Sequence, residues 1–212
     1  MTVAVCVTDK VTDLSDRICG HYEKHATAWD ADRRKADWND KHWHGRFVEM
    51  LPQSARVLDL GCGGGIPVAR NLAEHAVRVT GVDSSAMISL CCARLPEHEW
   101  IVADMRSVSL RRSFDGVLAW DSFFHLKPDD QRRMFPIFAA HAEKTAMLMY
   151  NTGPAFGEGI GSYRGDPLYH ASLDPDEYER LLVANGFVVV DHVVEDAKAG
   201  GRTVWLARRI RP

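Results

Sequence analysis

Apolar and polar positions divide the chain near Pro52. From Leu14 to about Met50 the sequence is polar and aromatic. Trp29, Trp38, Trp43 and Phe47 are spaced so that some share a face, which predicts a helical lead-in that Pro52 ends. Beyond it, short apolar runs alternate with helix-length amphipathic segments, the pattern of a parallel sheet covered by helices. Seven strands are predicted, over Arg56–Leu60, Val77–Val82, Glu99–Ala103, Phe114–Trp120, Ala146–Tyr150, Phe187–Val194 and Thr203–Ala207. Helices are predicted over Pro67–His75, Ala86–Arg94, Asp129–Glu143 and Pro175–Asn185. Pro136 falls inside the third of these, so that helix must kink or begin later. In the fourth, Asp174 as N-cap, Pro175 at the first helical position and Glu177 three after the cap form a capping box, and Gly186 can close the far end. The polar link Glu195–Arg202 contains two glycines and leaves no room for a crossover helix, so the last two strands should pair antiparallel.

The chain has 212 residues, of which 46% are hydrophobic and 26% charged, and this fits one soluble α/β domain. Residues 1–52 read as an N-terminal helical cap belonging to the same domain, and residues 53–212 as its core, with an insertion near 151–172. No stretch approaches the roughly 20 apolar residues that span a bilayer. A net charge of −3 lacks the basic excess that many phosphate contacts need, which disfavours a nucleic-acid substrate and favours a small molecule. The run Met1–Val7 has no basic region before it, so the expected compartment is the cytoplasm. Cysteines at positions 6, 19, 62, 91 and 92 form no CxxC pair and read as free thiols, mostly buried packing residues.

The candidate chemistry begins at Asp59-Leu60-Gly61-Cys62-Gly63-Gly64-Gly65, a glycine turn between a buried strand and a helix, where backbone amides can hold a ligand at close range. Such a loop by itself suits several nucleotide sites. Asp83, at the end of the next strand and 22 positions beyond Gly61, is placed to accept from ribose hydroxyls. Asp104 follows the third strand at the same sheet edge, where an adenine amino group is a fitting partner.

On these ordered motifs the chain resembles the class I S-adenosylmethionine-dependent methyltransferases, of small-molecule type, from about Arg56 to Arg208. The family's acidic-x-Gly-x-Gly-x-Gly motif is matched by Asp59, Gly61, Gly63 and Gly65, with Cys62 between them. Its ribose-binding acid is matched by Asp83 before Ser84, its adenine position by Asp104 and Met105, and its fourth-strand motif by Phe114–Asp121. The resemblance implies a Rossmann-like three-layer sandwich of sheet order 3-2-1-4-5-7-6 with strand 7 antiparallel, agreeing with the terminal hairpin. It also implies S-adenosyl-L-methionine as donor and S-adenosyl-L-homocysteine as product. A nicotinamide-binding domain fits less well, since GxGxxG would need a third glycine where Ile66 stands.

Within that resemblance, His125 after the fourth strand is the first candidate for a general base, the reading beside it being a structural histidine. Trp120 and Asp121 should line the donor or acceptor pocket. Tyr22, His25 and Trp29 share a helical face, and the resemblance implies that such a helix closes over the methionine end. The glycine-rich stretch Asn151–His170 reads as a long structureless loop carrying acceptor contacts from Tyr163, Arg164, Tyr169 and His170. His21 and His25 have metal-ligand spacing, but without a supporting HExxH or cysteine pattern no metal is expected. The charge run Asp30–Lys41 reads as a solvated helix face. The partner is then a small-molecule methyl acceptor, with the protein a monomer or homodimer. The alternatives are an inactive donor-binding sensor or scaffold, or a methyltransferase acting on a macromolecule.

Overall fold

β1 (Arg56–Leu60) is buried at its last four positions and so is covered on both faces, as the central strand of a parallel sheet must be. A computed structural model describes residues 14–210; the apolar start Met1–Val7 and Cys6 lie outside the described residues. β1 pairs in parallel with β2 (Arg78–Asp83) and β4 (Phe114–Ala119), and its register sets Leu60 opposite Val82. The next residues, Gly61 and Asp83, therefore emerge side by side at the carboxyl edge of the sheet.

Outside this pair lie β3 (Glu99–Val102) on one flank and β5 (Ala142–Thr152), β9 (Arg202–Arg209) and β8 (Phe187–Asp196) on the other. The order β3-β2-β1-β4-β5-β9-β8 is the predicted topology with two further strands interposed in sequence, and β9 runs antiparallel to both neighbours. The strand order reverses between β1 and β4, which opens a crevice where α/β sheets bind ligands.

Helices α2 (Lys41–Glu49) and α3 (Val68–Glu74) bury Trp43, Phe47 and Leu72 on one face of the sheet. On the other face, α5 (Pro128–His141) and α6 (Pro175–Ala184) pack Phe135, Phe138 and Tyr178 against Tyr150 and Trp205. Helix α4 (Ser85–Arg94) follows β2, and α1 (Ile18–Lys35) packs on it from the N-terminal side. Among the described residues no helix is long and apolar enough to cross a membrane.

Several sequence expectations change. Helix α5 starts one residue earlier than predicted and continues through Pro136 to His141. Asp174 caps α6 by accepting from Asp176 N at 3.0 Å, but Glu177 does not complete a reciprocal box, because its carboxylate is held by Arg132 at 2.6 Å. Asn151–His170 is not structureless. Gly157–Tyr163 (β6) and Asp166–Ser172 (β7) form an antiparallel hairpin through Arg164 and Gly165, both at positive φ as a two-residue turn demands. β6 exposes most of its side chains and has no apolar face, so alternation could not announce it.

The charge run is not a plain solvated face either. Asp30 and Asp40 are only 4% and 0% exposed.

Candidate functional site

The glycine loop owes its path to two close approaches. At Gly61, φ is +83° and a Cβ would come within 2.3 Å of the Ser122 Cβ, so β4's following loop can pack only on glycine. At Gly63, φ is +56° and a Cβ would meet nothing within 4 Å, because the position faces an open cleft. Gly61 N donates to Val82 O at 2.8 Å and Gly63 N to Asp83 Oδ2 at 2.8 Å, tying the loop to the end of β2.

Three carboxylates line the edge. Asp59 is 2% exposed, and no donor among the described residues meets it. Burial, then the nearby charge of Asp83, push its pKa up to about 7. Such a carboxylate lacks a cation. Asp83 accepts from Ser84 N at 2.7 Å as well as from Gly63 N, and burial still raises its pKa. At Asp104 burial acts upward, but the bonds from Arg106 prevail and hold the carboxyl below its ordinary value. Arg106 reaches Asp16 and Asp130 too, at 2.7 and 3.1 Å.

Two clefts flank Gly61 and Gly63. One, of about 630 Å³, is lined by Tyr22, Asp83, Ser84, Asp104 and Met105 among apolar neighbours. The other, of about 540 Å³, is lined by Asp59, Cys62, Trp120 and Arg33, and Trp29 and Asp121 border both. The Cys62 side chain packs with Cys91 and Ile88, and the cysteines among the described residues are free thiols, as expected.

Of the inward carboxylates of the charge run, Asp30 lines the second cleft and Asp40 backs it through Trp120. Asp30 binds Arg94 through both oxygens at 2.5 and 2.6 Å, and Arg94 donates to Gly64 O, which clamps α1 onto the glycine loop. Asp40 accepts from the indole of Trp120 at 2.6 Å. Burial acts to raise its pKa, but His44, Arg202 and Arg33 together hold it well below the carboxylate range.

Beyond β4, Asp121 sits at φ +50°, a left-handed conformation that marks a constrained position in a non-glycine residue. Its carboxylate is fixed by Arg202 through two bonds of 2.8 Å and by Asn151 at 2.9 Å. Asp121 borders a third, open cavity of about 950 Å³ beneath the hairpin, with Phe124, Glu158, His170 and Arg202 in its wall. Asp121 therefore lines all three spaces.

His125 is 3% exposed, and burial lowers its pKa to about 3, so its ring is neutral. Nδ1 lies 2.8 Å from the carbonyl of Tyr169 and must carry the proton; Nε2, 2.7 Å from the Tyr22 hydroxyl, accepts from it. Both nitrogens are thus engaged within the protein, and Tyr22 and His125 line the first cleft together. Trp29 and Tyr22 meet edge to face at 5.3 Å, whereas His25 turns away to Asp166.

Of the other predicted acceptor contacts, His170 reaches the third cavity, stacked on Phe124 at 5.3 Å. Tyr169 contributes its carbonyl to His125 and its hydroxyl to Glu158 at 2.5 Å. Tyr163 packs on Trp29 at 5.1 Å and bonds Asp32, and Arg164 is exposed at the hairpin turn, also on Asp32, and lines none of the three spaces. Arg202, Arg33, Asp40, Asn151 and Glu158 belong to the site without having carried any motif signal. They come from four separate segments, so no local spacing could link them.

Residues 57–144 match a family model described as a methyltransferase domain. The chain is 32% identical over 126 residues to the dTDP-4-amino-2,3,4,6-tetradeoxy-D-glucose N,N-dimethyltransferase of Saccharopolyspora spinosa, covering 55% of this chain and 49% of that protein. It is 31% identical over 115 residues to the putative methyltransferase YqeM of Bacillus subtilis (strain 168), covering 50% and 44%. The chain thus spans about half the length of the curated relatives it matches. Among solved structures, Burkholderia thailandensis 1,6-didemethyltoxoflavin-N1-methyltransferase superposes with a TM-score of 0.71 at 18% identity, covering 100% of this chain and 93% of that one. CalS10, an amino pentose methyltransferase from Micromonospora echinaspora, gives 0.67 at 19%, covering 86% and 96%. The fold is that of the class I methyltransferases.

Proposed function

We propose that this chain, with its methyltransferase domain, is an S-adenosylmethionine-dependent methyltransferase that acts on a nitrogen of a small polar acceptor and releases S-adenosylhomocysteine. The observation that carries the reading is Asp121, a residue that borders both donor clefts and the cavity beneath the hairpin. The residues present fit the donor: Asp59 is a buried carboxylate in want of a cation and would hold its ammonium group, while Gly63 faces open space beside it. Asp83 would hold the ribose, and Ser84, Asp104 and Met105 the adenine. When bound, the sulfonium supplies a methyl group that is already activated, so acid–base machinery is optional.

Glu158 and Asp121, the latter charge-balanced by Arg202, give the acceptor cavity carboxylate oxygens that can accept from an amine, and an N–H on Asp121 would orient the nitrogen lone pair toward the donor. Its fixation by Arg202 and Asn151 keeps that geometry. Tyr22 donates its O–H hydrogen bond to His125 Nε2, which leaves lone pairs of the phenol oxygen free to accept. His125 acts here as a positioning residue for Tyr22. A small acceptor suits a cytoplasmic monomer or homodimer in which residues 1–52 belong to the catalytic domain, and the net charge of −3 argues against nucleic acid.

The test is transfer of a labelled methyl group from the donor to matched amine and alcohol panels. Label in amines supports the reading; label only in alcohols moves the acceptor to oxygen. Donor-product binding with no transfer to any panel would leave a binding protein. Removing the Tyr22 hydroxyl or the His125 ring is expected to lower kcat about tenfold each, a hydrogen bond's worth, and the double variant no further. Wild-type turnover in His125→Ala would remove it from the mechanism.

Asp59 sets a pH dependence. Its folded pKa lies above its ordinary carboxylate value, so without ligand the folded state binds the extra proton and stability falls as pH rises from about 4 to about 7. A bound ammonium needs the ionised form. Affinity for S-adenosylhomocysteine should therefore increase through the same window with release of up to one proton, and Asp59→Asn should flatten the profile. Calorimetry in buffers of different ionisation enthalpy checks this, and a flat wild-type profile would contradict it.

A further inference from the structure

We infer that His21, His25 and Asp166 form a zinc site that staples α1 to the hairpin β6–β7. The inference does not depend on the methyl-transfer reading, because none of the three residues lines the donor clefts or the cavity under the hairpin.

His21 and His25 stand one turn apart on α1, with ring centroids 4.8 Å from each other. That spacing alone is common and has no third ligand. The fold supplies one: Asp166 opens β7 just after the hairpin turn, 141 positions beyond His25, and its Oδ2 lies 2.6 Å from His25 Nε2. One ligand atom from each residue lies within 4.8 Å of the other two. A cation at the centre of such a triangle is at most about 2.8 Å from each donor, so side-chain shifts of well under 1 Å reach zinc–nitrogen and zinc–oxygen distances of about 2.0–2.2 Å.

His21 Nε2 is buried and has no hydrogen-bond partner, a vacancy that a metal ligand would fill. Tyr163 packs against both imidazoles, at 6.1 and 5.6 Å, and shields that side. Two imidazoles and one carboxylate suit zinc, with water as the fourth ligand.

Lys24 is the opposing charge, at 2.6 Å from Asp166 Oδ2. Its side chain is 64% exposed, and such surface pairs are weak enough to yield to a dication. Asp166 also has a second oxygen, to which nothing among the described residues donates. On binding, zinc takes the place of the hydrogen between His25 Nε2 and Asp166: in a neutral ring that proton moves to Nδ1, and in a charged ring it leaves to solvent, so His25 ligates as neutral imidazole either way. The staple joins the helix that walls the donor clefts to the hairpin that roofs the acceptor cavity, so zinc would hold the roof down.

The experiment titrates metal-free full-length protein with Co²⁺ as an optical probe and with Zn²⁺ by calorimetry. Expected are one equivalent of each, a visible cobalt band without sulfur-to-metal charge transfer, and a higher melting temperature with Zn²⁺. Asp166→Asn and His21→Ala should each weaken Zn²⁺ about tenfold or more, whereas His42→Ala, at the separate pair with Asp196, should not. The two site variants should melt near wild type in the absence of metal, which separates loss of the site from loss of the fold. No saturable binding would overturn the assignment, as would a thiolate signature or affinity unchanged by Asp166→Asn.

Discussion

Gly63→Val is expected to abolish S-adenosylhomocysteine binding in a protein that still folds. Two physical terms separate. The backbone at Gly63 is left-handed at φ +56°, where a β-branched residue is strained by about 1–3 kcal/mol. For a domain of this size that lowers the melting temperature by a few degrees, about 2–4 °C per kcal/mol. The new side chain meets no protein atom, because a Cβ there has nothing within 4 Å, and so it projects into the space the donor would fill. Affinity should drop by about a hundredfold or more, well above the backbone cost alone, since a whole side chain competes for the ligand's volume. Thermal melting reads both terms: a modestly lower transition that the ligand no longer raises. A ligand-induced rise equal to that of wild type would show that the donor does not pass Gly63. Gly61→Ala differs in kind, since its Cβ would collide with Ser122 and the fold itself would suffer.

Asp83→Ala should weaken the same ligand about a hundredfold or more. A carboxylate accepting from two ribose hydroxyls contributes through hydrogen bonds to a charged group, each about 1.5–3 kcal/mol. Asp83 also accepts from Gly63 N and Ser84 N, so the variant loosens the loop as well. An analogue lacking both ribose hydroxyls separates the two contributions. If the contact is to ribose, wild type should lose most of its affinity for the analogue, and Asp83→Ala should discriminate little between analogue and natural ligand. Equal discrimination by both proteins would place the ribose elsewhere.

The proposed donor side of this site was legible in its placement because its residues are ordered by the sheet itself. Consecutive parallel strands end at one edge, so Asp59, Gly61, Asp83 and Asp104 could be assigned to that edge from their positions at or just past the strand ends. The antiparallel terminal pair was legible for a similar reason: the short polar link between the last two strands, five residues between β8 and β9, permits no crossover. The hairpin β6–β7 was not, because β6 exposes most of its side chains and its glycine-rich composition imitates a loop.

The acceptor side depends on contacts between distant segments. Arg202 reaches Asp121 across 81 positions and Asp40 reaches Trp120 across 80. Neither pair leaves a local pattern. Charged residues within Asp30–Lys41 alternate in sign as a solvated face would, yet Asp30 and Asp40 point inward and face Arg94 and Arg202, which only the folded chain brings near. His125 was legible in place but not in role, since its tautomer is set by the Tyr169 carbonyl, 44 positions away.

The central claim is that the glycine loop between β1 and α3 holds S-adenosylmethionine rather than another nucleotide. Calorimetric titration of the full-length protein with S-adenosylhomocysteine and, separately, with NAD⁺ tests it most directly. Saturable one-to-one binding of S-adenosylhomocysteine, lost in Gly63→Val and absent for NAD⁺, is the expected result; preferential binding of NAD⁺, or no binding of S-adenosylhomocysteine, would contradict it.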